Sequence, residues 1–143
     1  MPAPLTEETL NAHCQQLFAL VKTLRIDPLV PENQVLDRVA LSFRKLLNFM
    51  AQHHDVNACA LLTSASSPLA REHLAELMQE NFSAAQLGGV FRQDIPAALL
   101  AQFFTGMLLQ LAQLGGEPAV RHQQSLAASK LFCEGAWTGA ERG

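Results

Sequence analysis

The chain has no tyrosine, a single tryptophan and few charges: 16% of its 143 residues are Asp, Glu, Lys or Arg, where an average domain carries about 25%. So little charge leaves a monomer of this length short of surface that can stay wet. The hydrophobic fraction is 49% and the mean hydropathy +0.11. Burial in an oligomer, or a large apolar cavity, answers that shortage. Alternating runs of Val, Ile and Thr are also missing, and alanine, leucine and glutamine dominate. Those are helix formers, so no stretch reads as a strand. Cysteine is sparse: Cys14, Cys59 and Cys133 are odd in number and far apart. The first twenty residues hold Glu7, Glu8 and His13 and no apolar leader segment. A disulfide scaffold is excluded, and reduced, buried thiols in the cytoplasm are expected. Positive charge is neither abundant nor clustered, with a net charge of −3 and Arg44–Lys45 the only adjacent basic pair. Backbone binding to nucleic acid needs clustered positive charge, so none is expected from this chain alone.

Motifs of catalysis and cofactor binding are missing as well. There is no HExxH, no CxxC, no phosphate loop following a strand and no nucleophile elbow. His53-His54-Asp55 is the one cluster of catalytic residue types. Adjacent helical residues point about 100° apart, so the histidines do not converge on one metal. The plainer reading is a helix C-terminus favouring histidine, followed by an aspartate cap. Glu72, Glu76 and Glu80 share one helix face through their i, i+4, i+8 spacing, and a lone acidic stripe is usually a solvated face. An enzyme, a metal and a cofactor are therefore not expected.

What is present is a sequence of helices with legible ends. Thr6 caps a first helix that runs to about Ile26 before Asp27-Pro28. A second runs from about Glu32 to His53, and a short third from Asp55 to Thr63. Ser67 and Pro68 open a fourth that ends near Gln86 before Gly88-Gly89. Asp94 is read as the cap of a fifth ending at Gly115-Gly116, and a sixth runs from Glu117-Pro118 to about Trp137, with a frayed tail from Thr138. The expected architecture is a single domain, 1–143, all-α, an antiparallel bundle of about six helices.

The fifth segment is unusual. Leu99, Leu100, Phe103, Phe104, Met107, Leu108 and Leu111 fall at i, i+1, i+4, i+5, i+8, i+9 and i+12, too broad for one protected stripe. A helix apolar on most sides is buried, spans a membrane or serves two interfaces. Gln102, Gln110 and Gln113 interrupt the run, which favours a bundle helix with a core on one side and a second subunit on the other. Elsewhere, Phe43, Leu47, Met50, Leu77, Met78, Phe82, Phe103 and Met107 concentrate on inward faces. They can pack as solid core or line a cavity, and periodicity does not separate the two.

Two stretches carry a resemblance. VLDRVALSFRKLLNFMAQHHDV resembles the long helix and its corner, and LAELMQENFSAAQLGGVFRQDIPAALLAQFFTGMLLQLAQL the arm and greasy helix, of the C-terminal regulatory domain of TetR/AcrR-family transcriptional regulators. The resemblance covers roughly Thr6 to Trp137. It implies an effector-binding and dimerisation domain of a transcriptional regulator, with a repressor the expected sense. Helices two to four would enclose an inducer beneath the first helix, and the last two helices would pair with their mates. The family's helix-turn-helix reader has no counterpart here, since no basic segment or T-x-x-x-I-A pattern precedes Thr6. DNA would be reached only through such an N-terminal domain.

On this reading a largely apolar effector is held between the second, fourth and fifth helices by Phe43, Leu47, Met50, His53, Leu77, Met78, Phe82, Phe103 and Met107. The homodimer interface is expected at Leu100, Phe104, Leu108 and Leu111 of the fifth helix and Ala128, Leu131 and Phe132 of the sixth. No membrane partner is expected. The rival reading is a stand-alone helical dimer that binds a protein and no small molecule.

Overall fold

A computed structural model describes residues 5–135. Six α-helices follow one another, with no strand among the described residues: α1 Glu7–Lys22, α2 Val35–Gln52, α3 His54–Ala58, α4 Ser67–Leu87, α5 Ala97–Leu114 and α6 Pro118–Glu134. A 3-10 turn, Glu32–Gln34, leads into α2, and a π-helical turn, Cys59–Thr63, follows α3. The all-α bundle is as the sequence predicts. The sixth helix was expected to reach Trp137, which lies outside the described residues, as does the tail from Thr138.

Several ends differ from expectation for identifiable reasons. Thr6 does cap α1, its side chain accepting from the Thr9 amide at 3.1 Å. The helix stops at Lys22, though, because Thr23 turns its hydroxyl onto the Leu20 carbonyl at 2.7 Å. The Asn81 side chain of α4 joins the Leu24 amide in donating to the Val21 carbonyl, each at 3.1 Å. Asp94 does not cap α5: Arg92 holds it in a two-pronged ion pair, its Nη2 at 2.6 Å, and Pro96 is the cap residue instead. Ser66, not Ser67, precedes α4; Ser67 is buried and accepts from Arg71 at 3.3 Å.

Two helix pairs organise the molecule. α2 lies along α6, and α4 along α5, with α1 across α4 and the π turn. The α2–α6 seam is close because α6 presents small residues to it: Ser125, Ala128 and Ser129 are buried. Ser129 Oγ donates to the Leu36 carbonyl at 2.6 Å, and Arg121 Nε to Asn48 Oδ1 at 2.8 Å. These bonds satisfy polar groups that packing would otherwise strand, and each contributes about 0.5–1.5 kcal/mol net.

Candidate functional site

The heart of the bundle is an aromatic cluster drawn from five places in the chain. Phe43 of α2 stacks on Phe104 of α5, ring centroids 4.2 Å apart. Phe82 of α4 meets Phe104 at 5.6 Å and Phe132 of α6 at 5.3 Å. Phe91, from the arm between α4 and α5, closes on Phe82 at 5.4 Å. Such pairs add about 0.5–1.5 kcal/mol each beyond area burial.

The arm reaches this cluster because its backbone is tied down. Gln86 donates its amide to the Arg92 and Ile95 carbonyls at 3.0 and 2.7 Å, and Gln93 returns a bond to the Gln86 carbonyl at 2.9 Å. Gly89 takes φ +79°, a left-handed turn open to glycine at no steric cost. The loop between α1 and α2 crosses nearby: a Cβ on Gly88 would stand 2.9 Å from Pro28 Cβ, so a larger residue would push loop and arm apart.

Loop, arm and helices together enclose a cleft on one flank of the cluster. Met78, Asn81, Phe82, Phe91 and Phe104 form its inner wall, and Leu24, Ile26 and Ser42 its mouth. Its free volume is about 30 Å³, room for a water or two and far below the roughly 300–1,000 Å³ of a small-molecule site. A second groove of about 310 Å³ opens outward from the same mouth beneath the α1–α2 loop.

The structure redistributes the residues expected to hold a ligand. Met78 and Phe82 line the cleft. Phe43 and Leu77 are buried in the cluster and the core behind it. Met50 and Leu47 look the other way, toward two depressions of about 40 and 180 Å³, the first bordered by α3 and α5 and the second by α5 and α6. Phe103 is 52% exposed, so α5 turns it outward, while Met107 is half-buried against the core. Conversely, Leu100, Phe104 and Leu108, expected at the dimer interface, are buried in the chain's own core, as is Ala128. Leu111 and Phe132 are partly buried against that core, and Leu131 alone of that set is exposed. Phe103 is thus exposed and Phe104 buried, the reverse of what the sequence led one to expect.

His53 leaves the ligand set altogether. It closes the end of α2 and belongs to a separate cluster, edge-on to His13 of α1 at 5.3 Å and tilted on Phe49 at 4.9 Å. His13 is buried and bonds through Nε2 to Asn57 Oδ1, while Asn57 Nδ2 donates to the Met50 carbonyl at 2.7 Å. Because the Asn57 oxygen accepts, His13 donates and carries its proton on Nε2. This buried pair, 44 residues apart, had no sequence signal; a histidine and an asparagine at that separation fit no periodic pattern. Among the described residues no three His, Cys, Asp or Glu side chains converge as a metal site.

Burial lowers the pKa of His13 below its ordinary value of 6.5, opposed by the Asn57 bond and reinforced by His53. The unfolded chain takes up this proton more readily than the fold. Stability is therefore full above pH 6.5 and falls as the pH drops below it, until His13 protonates in the folded state too. Thermal melts between pH 8 and 5 should show this decline, and His13→Gln, which keeps a donor for Asn57, should flatten it. Asp94, held low by its bond to Arg92, acts only below the carboxylate range and does not confuse the window. Identical pH profiles for both proteins would contradict the assignment.

Comparison with known protein families, with curated proteins and with solved structures finds no match to this chain.

Proposed function

We propose that this chain is an effector-binding and dimerisation domain of the kind found in TetR-type transcriptional regulators, working in the cytoplasm as a homodimer. The observation that carries this reading is the double use of α5. Its inner face, with Leu100, Phe104 and Leu108, builds the core, while Leu99, Phe103 and Leu114 stand outside, 47%, 52% and 63% exposed. Gly106 sits among them with nothing within 4 Å of where its Cβ would be. A glycine inside a helix costs about 0.5–1 kcal/mol relative to alanine, and no contact within the chain calls for it. Close approach by a second copy does. By length and composition alone Ala97–Leu114 is also apolar enough to cross a membrane. Its packing along α4 and α2, and the exposed Gln102, Gln110 and Gln113, favour the subunit interface.

The effector is a largely apolar small molecule that widens the cleft beside Phe82 and Phe104. The arm and the α1–α2 loop border that space, and Asn81 of its wall donates to the Val21 carbonyl at the end of α1, so its occupancy bears on the orientation of α1. A ligand shifts such an equilibrium only by its preference for one state. DNA would be contacted through a separate reader domain.

A thermal-shift screen of hydrophobic metabolites, dyes and drugs tests the sensor half. A true effector at a hundred times its Kd stabilises the fold by about 2.7 kcal/mol. Met78→Trp should abolish the shift while costing about 1–3 kcal/mol through overpacking. A screen with no hit would leave the rival, a helical dimer without a small-molecule ligand.

A further inference from the structure

The groove outside the cleft differs from it in chemistry. Arg25, Arg38 and Lys45 border it, with Asp27 the one carboxylate among its lining residues. Asp27 is occupied locally, its Oδ1 accepting from the Leu29 amide at 2.9 Å. Arg25 leans away: its Nε lies 3.5 Å from Asn81 Oδ1, and it shares a shallow surface depression with Glu76 and Glu80. Arg38 and Lys45 of α2 are exposed, and neither forms an ion pair among the described residues. Between them on the same helix stands Ser42, four residues after one and three before the other, which places all three on one face. Ser42, Leu24 and Ile26 are shared by the groove and the cleft, so the two spaces meet at an apolar threshold.

We propose that this groove is the head-group site for an amphipathic organic acid. Its carboxylate lies between Arg38 and Lys45, beside Ser42, whose hydroxyl donates to the Arg38 carbonyl at 3.2 Å, and its hydrocarbon end passes Leu24 and Ile26 toward the phenylalanine-lined cleft. The groove, about 310 Å³, is of the size of small-molecule sites, whereas the cleft alone is not. An inorganic anion would satisfy the cations but leave the apolar threshold uncovered. A neutral hydrocarbon would fill the threshold and leave two unpaired cations beside it. A chain with one anionic end matches both. This inference rests on the reading of the cleft as a small-molecule site and adds the ligand's chemical class.

The test is calorimetric titration of the chain at low salt with decanoate, decanol and decyltrimethylammonium, each below its aggregation threshold, and with hexanoate. Decanoate should bind most tightly and the cationic amphiphile least. Affinity should rise from hexanoate to decanoate by up to about fourfold per methylene. The double variant R38A/K45A should weaken decanoate by about 2- to 30-fold, leave decanol unchanged and leave the melting temperature of the free protein unchanged. If decanoate and decanol bind alike, or the double variant leaves decanoate affinity intact, the head-group site is wrong while the small-molecule reading stands. If none of the four binds, the small-molecule reading falls and this inference with it.

Discussion

Alanine at Phe104 should destabilise the fold by about 3–5 kcal/mol, the range for emptying a buried phenylalanine site. Phe104 is 3% exposed and joins α5 to α2 through Phe43, to α4 through Phe82 and to α6 through Phe132, centroids 4.2, 5.6 and 5.6 Å away. Removing it opens a hole where these helices meet, and the stacked Phe43 cannot follow without leaving its own fully buried seat. Against a typical total stability of about 5–15 kcal/mol, that loss is a large share. Urea denaturation of the variant beside the parent measures it. A midpoint equal to the parent's would mean that the cluster is not the keystone of the core. Glutamate at the same position adds a buried, unpaired charge to the cavity, so it should unfold the domain before any effect on subunit association can be read.

The contrast between Phe103 and Phe104 shows what the sequence made legible and what it hid. Helix positions, the all-α class and the breadth of the apolar surface of α5 follow from periodicity and end signals. Which of its two stripes faces inward does not. Leu99 and Phe103 form one, Leu100, Phe104 and Leu108 the other, about 100° around the helix. Both are made of the same kinds of residue, so propensity and moment are indifferent between them. The choice is made by what lies opposite: Phe43 on α2 and Phe82 on α4 supply the partners for Phe104. The candidate site was hidden for a related reason. Met78 and Phe82 were legible as inward residues, and Leu24 as an apolar position of a first helix that in fact stops at Lys22, but Ile26 and Phe91 lie on connections, where no period marks a site position. Arg38 and Lys45 read as scattered cations because their meaning depends on the loop that crosses above α2. Asp94 has the residue type of a helix cap, yet an arginine two positions earlier competes for it and wins.

Glutamate at Phe103 should dissociate the proposed homodimer while leaving the monomer folded. Phe103 is 52% exposed, so its replacement removes little from the chain's own core. Truncating an aromatic anchor at the centre of an interface costs about 2 kcal/mol or more, and the new charge must also be left without water or partner. The dimer dissociation constant should rise about thirtyfold or further, read by analytical ultracentrifugation across the micromolar range. Leu131→Glu, at the exposed position on α6, should act in the same direction. Gly106→Ala separates a packed interface from a merely apolar surface. On a solvent-facing helix, alanine gains about 0.5–1 kcal/mol over glycine, and the variant should melt higher with its association state unchanged. If a second copy lies across Gly106, the added methyl meets it, and the dimer weakens although the helix itself is favoured. A chain that is monomeric at tens of micromolar before any substitution would remove the dimer, and the uncovered face of α5 would then require a different partner.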